Sequence, residues 1–335
     1  MTVRIAINGF GRIGRLVLRA VAESQRNDLE VVAINNRSEP DMAAHLFKYD
    51  SVHGTFQGAV STTSDSIDIG AGPIAYCREE SPADLPWARH GVDVVLECTG
   101  KFRTREQVQA HLDAGAGKVL ISAPGKGSDL TVVYGVNHRD IEPGNTVVSN
   151  ASCTTNCLAP VAMVLNDLCG IERGFMTTIH AYTTDQRLLD NSHKSDLRRA
   201  RAAGMSMIPT STGAAKSIGD VLPALKGKLD GTSIRVPTPN VSLVDLVFLP
   251  GRTVTVEEIN EAMAEAARGP LKGVLDICTE PLVSIDFNHN PASATFDAGQ
   301  TQVVDGGLVR IGAWYDNEWG FSHRMNDTAA YMGGL

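Results

Sequence analysis

The sequence predicts an α/β fold in which a doubly wound, Rossmann-type parallel sheet is followed by an α+β domain with a mostly antiparallel sheet. Over the first half of the chain, strand-like segments alternate with helical ones, which is the pattern of parallel strands joined by crossover helices. From about residue 150 the pattern changes to one helix, a long arginine-rich loop and several strand-like segments. A chain of 335 residues also exceeds the usual size of one hydrophobic core, so about two domains are expected.

The first elements form a strand, a glycine turn and a helix. Residues 3–8 are apolar and β-branched, and apolar residues between 16 and 21 recur at helical spacing. A second strand over 30–35 completes a βαβ unit of the usual length. Further strands are predicted at 93–97, 118–122, 146–148, 176–180, 233–236 and 242–249, with a helix over 104–114.

We place the Rossmann domain at residues 1–152 and the second domain at residues 153–316. Residues 317–335 again have a helical pattern, and we expect this helix to return and complete the Rossmann domain. The chain therefore crosses the predicted domain boundary twice.

The composition limits the classes of partner. Hydrophobic residues make up 43% of the chain and charged residues 20%, as in an ordinary globular protein. The formal charge of -8 argues against nucleic-acid binding, which needs a net basic face. The longest apolar runs are strand-sized and far shorter than the ~20 residues that span a bilayer, so no membrane partner is expected.

The first residues resemble neither a secretion signal nor a transit peptide, so we expect a cytoplasmic protein. The six cysteines are scattered without a CxxC pair, which makes disulfides and a zinc cluster poor interpretations. We therefore expect free thiols and no metal site.

Gly9, Gly11 and Gly14 form a GxGxxG motif between the first strand and the helix that follows it, the context in which this motif binds a dinucleotide. The first glycine allows a tight turn, the second lets the backbone approach a pyrophosphate, and the third lets strand and helix pack closely. The helix amino end offers N–H groups and a positive dipole to the phosphates. A glycine-rich turn that binds nothing is the alternative, and the context favours binding.

Asn36 and Arg37 follow the second strand, where the motif usually has an acidic residue that holds the ribose 2′-OH of NAD. A neutral Asn36 removes the repulsion that rejects a 2′-phosphate, and Arg37 offers a cation beside it. Alternatively, Arg37 is a solvated loop residue and Asn36 still bonds the ribose. Both interpretations stay open.

Cys153 is the candidate nucleophile. It precedes an apolar stretch with helical periodicity, so it lies near a helix amino end, where the dipole and uncapped N–H groups favour a thiolate. Pro160 is expected to kink this helix. Four neighbours of Cys153 carry hydroxyl or amide groups that suit helix capping or binding of an oxyanion or phosphate: Ser152, Thr154, Thr155 and Asn156.

His180 ends the strand that follows this helix and is the candidate base, because a thiol nucleophile needs an imidazole within reach to take and return a proton. The spacing alone does not show that Cys153 and His180 meet. Taken singly, an inert buried cysteine and a histidine satisfied in the core are the simpler interpretations.

Several motifs resemble those of the glyceraldehyde-3-phosphate dehydrogenase family and cover essentially the whole chain in order. They occupy residues 7–14, 149–157, 178–183, 196–201, 210–216, 235–240 and 314–319. The resemblance implies an enzyme of glycolysis or gluconeogenesis that converts glyceraldehyde-3-phosphate and inorganic phosphate to 1,3-bisphosphoglycerate. It makes the first domain NAD(P)-binding and the second catalytic, and it reverses the simpler interpretations of Cys153 and His180.

By resemblance, Cys153 attacks the aldehyde, and His180 accepts the thiol proton and then stabilises the hemithioacetal oxygen. Hydride passes to the nicotinamide, and inorganic phosphate cleaves the resulting thioester. Two anionic groups are then held by hydroxyls and guanidinium groups. The resemblance implies that Thr183 and Arg235 hold the C3 phosphate, with Asp185 orienting Arg235. It assigns inorganic phosphate to Ser152, Thr154, Arg199, Thr212 and Gly213.

The resemblance also implies the cofactor-binding residues, among which Asn317 fixes the nicotinamide carboxamide. Asn36 stands where many members have Asp, residues 191–192 resemble the pair of NADP-using photosynthetic members, and Phe321 replaces a common tyrosine. We therefore expect NAD as cofactor, with NADP also accepted. The implied set is Gly9, Gly11, Arg12, Ile13, Gly14, Asn36, Arg37, Arg78, Thr99, Gly100, Ser122, Ser192 and Asn317.

Two alternatives differ in chemistry. Erythrose-4-phosphate dehydrogenase shares the Cys–His pair but hydrolyses its thioester, and it usually changes the segment after the histidine, whereas residues 181–185 here keep the phosphorylating form. The second alternative is a nucleotide-binding regulator or RNA-binding protein with a decayed active site. The full complement of implied catalytic residues argues against decay, and the acidic balance argues against RNA.

The loop from about residue 182 to 207 is long, arginine-rich and without a regular pattern. Such a loop is uncommon unless something packs against it. In the family this loop lies at subunit interfaces, so the resemblance implies a homotetramer with Ser192 near an adenosine ribose across the interface.

Overall fold

The computed structural model describes residues 2–335, which divide into two compact units. One unit contains the residues up to Ser152 together with Ser322–Leu335, and the second contains Cys153–Phe321. The fold class predicted from the sequence is confirmed, because a largely parallel sheet forms the first unit and a mostly antiparallel sheet the second.

The first unit contains a nine-stranded sheet with the order β10-β11-β9-β8-β1-β2-β7-β6-β5. Its strands from β10 to β7 pair in parallel, and β6 and β5 add an antiparallel edge. A separate hairpin joins β3 to β4. The strands are β1 Val3–Asn8, β2 Leu29–Asn35, β3 Tyr49–Asp50, β4 Gly54–Thr55, β5 Ser61–Thr62, β6 Ser66–Asp68, β7 Pro73–Cys77, β8 Val94–Glu97, β9 Lys118–Ile121, β10 Leu130–Thr131 and β11 Val147–Ser149.

Four helices connect these strands. Apolar side chains of the strands and of Trp87 form a buried core, so the parallel strands are covered as their continuous apolar sequences require. Thr104 caps α4 with its hydroxyl while Gln107 returns a bond to the Thr104 backbone, which fixes where that helix begins. The helices are α1 Arg12–Glu23, α2 Pro40–Lys48, α3 Trp87–His90 and α4 Arg105–Asp113, with short 3-10 turns at Pro82–Asp84 and His138–Asp140.

The second unit contains a seven-stranded sheet with the order β13-β14-β12-β15-β18-β17-β16. Four of its six strand pairs are antiparallel, and β12–β14 and β16–β17 are parallel. The strands are β12 Ile171–Ala181, β13 Ile208–Ser211, β14 Leu229–Val236, β15 Ser242–Pro250, β16 Leu275–Cys278, β17 Ala294–Val304 and β18 Leu308–Tyr315.

Helices of the second unit are α5 Cys153–Cys169, α6 Ala214–Val221 and α7 Val256–Arg268, with 3-10 turns at Arg198–Ala200, Ala203–Met205, Pro223–Leu225 and Ser284–Phe287. The helix α5 continues through Pro160, which is one of its buried residues. A final helix, α8, spans Trp319–Gly333. Asp316 caps it by accepting bonds from the backbone N–H groups of Glu318 and Trp319.

Within the first unit, the C-terminal segment packs through buried polar contacts. The Asn326 amide donates to the Val17 carbonyl oxygen over 3.0 Å, and the Thr328 hydroxyl donates to the Asn150 side chain over 2.9 Å. Over the described residues, no helix combines the length and the apolar character needed to cross a membrane.

Candidate active site

The glycine turn has the geometry that the motif predicts. Gly9 has a φ of +94°, and a Cβ on Gly14 would lie 2.1 Å from the Gly9 carbonyl oxygen, so both positions require glycine. A Cβ on Gly11 would instead meet no heavy atom within 4 Å. The backbone at Gly11 is therefore open at the amino end of α1, where unpaired N–H groups and the helix dipole favour a pyrophosphate.

A cavity of about 330 Å³ lies beside this turn, within the first unit. It brings together five of the predicted cofactor residues: Gly9, Gly11, Asn36, Arg37 and Thr99. It adds residues that the sequence analysis did not select: Asn8, Asn35, Glu79, Glu80, Cys98, Lys101 and Phe102. The predicted residues Arg12, Ile13, Gly14, Arg78, Gly100 and Ser122 are outside this lining.

Asn8 and Asn35 end the adjacent parallel strands β1 and β2 and are in register with each other. The Asn35 amide donates to Asn8 Oδ1 over 2.8 Å, and the Asn8 amide donates to Glu97 Oε2 over 2.5 Å. Ligands of open α/β sheets bind at the carboxyl ends of the strands. The position of Asn8 and Asn35 at the ends of predicted strands could therefore have identified them as cofactor-binding candidates from the sequence.

Glu97 is fully buried yet well satisfied. The Trp87 indole donates to His111 Nδ1 over 2.9 Å, which leaves the proton of a neutral His111 on Nε2, 3.1 Å from Glu97 Oε2. The Thr99 backbone N–H donates to Glu97 Oε1 over 2.8 Å. Glu97 therefore holds the backbone of Thr99, a predicted cofactor residue, in position.

Asn36 and Arg37 are both engaged. The Asn36 amide donates to Ser38 Oγ over 2.6 Å and to Tyr76 Oη over 3.3 Å. Arg37 pairs with Glu80 over 3.0 Å at the surface. The predicted cation beside the 2′ position is thus paired with a carboxylate, and the predicted Arg78 is similarly paired with Glu39.

Cys153 begins α5, directly after Ala151 at φ +55° and Ser152. Its Sγ atom lies 3.5 Å from Nε2 of His180, which is buried near the end of β12. The meeting of thiol and imidazole, which the sequence left open, is therefore present.

The contacts of His180 Nδ1 bear on its tautomer. Nδ1 lies 2.7 Å from the Ala181 carbonyl oxygen, which can only accept, and 2.8 Å from Arg235 Nη1, which can only donate. Because Arg235 Nη1 has the same carbonyl as its own acceptor, we assign the proton to Nδ1. Nε2 then presents its lone pair toward the thiol of Cys153. This is the arrangement of a base ready to take the thiol proton.

Burial dominates the acid–base properties of the pair. It raises the pKa of the Cys153 thiol, while the charge of Arg235 and hydrogen bonds at Thr154 lower that pKa. Burial and then the Arg235 charge lower the pKa of His180 to about 3. Hydrogen bonds at the helix end favour a thiolate, as predicted, but burial has the larger effect, so the shifts in pKa favour the neutral forms of both Cys153 and His180.

Arg235 is on β14 and in register with His180 on the neighbouring strand β12. Its Nη1 atom lies 2.8 Å from His180 Nδ1 and donates to the Ala181 carbonyl over 3.1 Å. Within the described part of the chain, its Nε atom is buried and has no hydrogen-bond partner. A buried guanidinium with an unused donor suits an anionic ligand.

The predicted role of Asp185 in orienting Arg235 is wrong for this structure. Asp185 Oδ2 accepts from Arg199 Nη1 over 2.7 Å, and its Oδ1 lies 3.3 Å from His193 Nε2. Asp185 and Arg199 both lie on the loop that follows β12, and in this loop the carboxylate contacts the guanidinium of Arg199. Asp185 therefore orients Arg199.

Arg199 also pairs with Asp196 over 3.2 Å and approaches the Ser211 carbonyl oxygen at 3.5 Å. Ser211 ends β13 and is followed by Thr212 and Gly213, which precede α6. The predicted phosphate residues Arg199, Thr212 and Gly213 are thus neighbours at a helix amino end.

Thr154 and Thr183 already have partners. Thr154 is buried, and its hydroxyl bonds Tyr315 Oη over 2.9 Å. Tyr315 Oη also bonds the Thr178 hydroxyl over 2.8 Å, and its ring packs edge-on against His180 with centroids 5.9 Å apart. Thr183 bonds the Gln186 side chain through its backbone N–H and its hydroxyl. Tyr315 is in the motif at residues 314–319, but neither it nor Gln186 was selected from the sequence as a site residue.

Asn317 is buried, and its Oδ1 accepts from Ser242 Oγ over 2.8 Å. Ser242 Oγ in turn accepts from the Ala181 backbone N–H over 3.0 Å, beside His180. The amide nitrogen of Asn317 therefore points away from Ser242. Ser192, the remaining predicted cofactor residue, is exposed in the loop after β12, where its carbonyl accepts from Arg187 Nε over 3.0 Å.

Comparison with known proteins covers both units. Residues 3–105 match the family described as glyceraldehyde 3-phosphate dehydrogenase, NAD binding domain, and residues 152–317 match the C-terminal domain of the same enzyme. Proteins named glyceraldehyde-3-phosphate dehydrogenase from Xanthobacter flavus and Cereibacter sphaeroides are 64% and 62% identical over the full length of both chains. One from Geobacillus stearothermophilus is 54% identical over 99% of this chain and 98% of its own.

Proposed function

The chain belongs to the glyceraldehyde-3-phosphate dehydrogenase family, and on that premise we propose that it oxidises glyceraldehyde-3-phosphate to 1,3-bisphosphoglycerate with inorganic phosphate. It is an oxidoreductase acting on an aldehyde, with NAD as cofactor. The observation that carries the mechanism is the 3.5 Å contact between Cys153 Sγ and His180 Nε2.

The cofactor fits the first unit. Its open backbone at Gly11, the amino end of α1 and the polar strand ends at Asn8 and Asn35 suit a pyrophosphate and ribose hydroxyls. When bound, NAD supplies the acceptor for the aldehyde hydride. We propose that Asn317 presents its amide nitrogen to the nicotinamide carboxamide, since Ser242 already occupies its oxygen.

The first step forms a bond between Cys153 Sγ and the aldehyde carbon. Because burial raises the pKa of the thiol, the proton leaves as the sulfur attacks, and it passes to His180 Nε2. The resulting imidazolium then stabilises the hemithioacetal oxygen as its charge develops. Its Nδ1–H remains anchored on the Ala181 carbonyl, so the ring keeps its orientation.

Loss of hydride from the hemithioacetal carbon re-forms the C=O bond and leaves an acyl thioester on Cys153, while His180 keeps the proton that it took from the thiol. An oxygen of inorganic phosphate then attacks the thioester carbon, the C–S bond breaks as the proton of His180 passes to the departing sulfur, and the acyl phosphate leaves. We propose that Ser152, Thr154, Arg199, Thr212 and Gly213 hold the attacking phosphate. Thr212 and Gly213 precede α6, and Arg199 is kept beside them by Asp185 and Asp196.

We assign the C3 phosphate of the substrate to Arg235 and Thr183. The unused buried Nε of Arg235 supports this assignment, because a phosphate oxygen would satisfy it. The backbone N–H and the hydroxyl of Thr183 both donate to Gln186 Oε1. When the substrate binds, a phosphate oxygen would replace Gln186 Oε1 as the acceptor.

The assembled Cys153–His180 pair argues against a decayed regulator, and the names of the relatives give no support to erythrose-4-phosphate dehydrogenase. An assay of reduced nicotinamide absorbance, run with and without inorganic phosphate, tests the proposal. We expect turnover that depends on phosphate. Sustained turnover without phosphate would indicate thioester hydrolysis and would contradict the proposed reaction.

We further propose a homotetramer. In the loop after β12, five large apolar side chains are 72% to 90% exposed: Leu188, Leu189, Leu197, Met205 and Met207. Exposed apolar side chains clustered in one loop support a protein interface. We place the enzyme in the cytoplasm, where a reducing environment keeps a catalytic thiol free.

A further inference from the structure

The three side chains Asn36, Ser38 and Tyr76 form a small hydrogen-bonded cluster at the edge of the cofactor cavity. Tyr76 is buried on β7, with its side chain 5% exposed. Its hydroxyl donates to the Ser38 carbonyl oxygen over 2.9 Å. A carbonyl oxygen can only accept, so the one hydroxyl proton of Tyr76 is committed to Ser38.

That commitment decides how the Asn36 carboxamide is turned. Tyr76 Oη lies 3.3 Å from the Asn36 side chain and has only lone pairs left to offer. The amide nitrogen of Asn36 therefore faces Tyr76, where it donates, and also donates to Ser38 Oγ over 2.6 Å. Its carbonyl oxygen Oδ1 makes no hydrogen bond to any residue in the described chain, and Asn36 lines the cavity.

A carbonyl acceptor at this position distinguishes the two dinucleotides. It can accept a hydrogen bond from the ribose 2′-OH of NAD, as the acidic residue usual at this position does. The 2′-phosphate of NADP carries acceptor oxygens and negative charge, so it gains nothing from a second acceptor. Glu79 and Glu80 line the same cavity, and their carboxylates oppose a 2′-phosphate further.

We propose that Tyr76 and Ser38 are specificity-determining residues, which orient the Asn36 carboxamide with its oxygen toward the cavity and so make NAD the better cofactor. The proposal rests on the dinucleotide site of the proposed function and names the groups that set its preference. The cluster lets a neutral asparagine act as an aspartate would toward the 2′-OH. NADP is then the weaker cofactor, because its 2′-phosphate needs a hydrogen-bond donor and Asn36 Oδ1 is an acceptor.

The test is calorimetric titration of the full-length protein with NAD and with NADP, in the absence of aldehyde. In Tyr76→Phe the amide is free to turn, so we expect NAD to bind more weakly and the ratio of the NADP to NAD dissociation constants to fall about three- to ten-fold, the value of one hydrogen bond. Ser38→Ala should lower the ratio less, by roughly two-fold, because Tyr76 still holds the amide.

Two variants show that the effect is specific. Tyr49→Phe removes a hydroxyl from an exposed tyrosine of the same unit and should leave the ratio at the wild-type value. Adding Asn36→Asp to Tyr76→Phe should restore the preference for NAD, since a carboxylate presents an oxygen in either orientation.

An unchanged ratio in both Tyr76→Phe and Ser38→Ala would overturn the proposal. If Tyr76→Phe does not fold, an unchanged ratio in Ser38→Ala alone would overturn it. Because binding is measured without turnover, a protein with the expected binding ratios but no phosphate-dependent aldehyde oxidation would contradict only the proposed function.

Discussion

Nη1 of Arg235 lies 2.8 Å from Nδ1 of His180, and both atoms share the carbonyl oxygen of Ala181 as their acceptor. The contact follows from strand register, because Arg235 and His180 are paired residues of β14 and β12. Burial, and then a guanidinium this close, disfavour an imidazolium, so the pKa of His180 lies well below its ordinary value. The same charge favours a thiolate at Cys153, where it opposes the effect of burial.

The first prediction concerns this charge. Arg235→Gln should raise the pKa of the Cys153 thiol further, because the variant removes the main group that lowers it. Thiolate is the reactive form, so the pH profile of alkylation by iodoacetamide should move to higher pH and the rate at a fixed mildly alkaline pH should fall. Arg199→Gln is the matched control and should leave the profile in place. A profile that is the same in Arg235→Gln and wild type would contradict the prediction.

Cys153→Ser should abolish dehydrogenase activity and leave NAD binding intact, because an alkoxide is far less available than a thiolate near neutral pH. Initial rates with glyceraldehyde-3-phosphate and calorimetric titration with NAD measure the two properties. Cys169→Ser, a buried thiol at the far end of α5, is the control. Substantial turnover by the Cys153 variant would rule out the covalent mechanism.

His180→Asn should slow formation of the thioester by roughly 10²–10⁴-fold, the range for a lost general base. Pre-steady-state production of reduced nicotinamide measures this step. His45→Asn, at an exposed histidine, should behave as wild type. The pH dependence of Cys153 alkylation should also change in His180→Asn, and an unchanged profile would show that the two side chains do not interact.

Light scattering at micromolar concentration should give a mass four times that of the 35.7 kDa chain. Replacing Leu188 and Leu197, both 90% exposed, with Asp should lower the average mass, because charged groups would be buried without partners. Asp substitutions at Val304 and Leu335, which lie outside this loop, serve for comparison. A monomeric mass for the wild-type protein would contradict the homotetramer.

NADP should also support turnover, with lower efficiency than NAD. Asn36 carries no charge to repel the 2′-phosphate, and Arg37 can exchange its surface pairing with Glu80 at small cost, since such pairs contribute about 0–1 kcal/mol. The measurement is the ratio of kcat/KM values for the two cofactors. No detectable turnover with NADP refutes dual use, and Asn36→Asp failing to depress the NADP efficiency shows that this position does not discriminate.

Local patterns in the sequence were enough for the fold class, the glycine turn and eight of the strands, namely β1, β2, β8, β9, β11, β12, β14 and β15. Alternation of strand and helix signals predicts a parallel sheet, and Gly9 and Gly14 have the conformation and the close approach that their spacing predicts. Cys153 and His180 were identified by type and motif. Each of these features depends on residues close together in the chain, where periodicity and spacing carry the information.

Tertiary structure alone decided which side chains contact one another. Asp185 orients Arg199 and not Arg235, Tyr76 turns the Asn36 amide, and burial makes the Cys153–His180 pair neutral. These outcomes join residues that are 14 to 40 positions apart in the chain, and they depend on distances of a few tenths of an ångström and on exclusion of water. Sequence spacing contains neither quantity, because strand register and desolvation exist only after the sheet has formed.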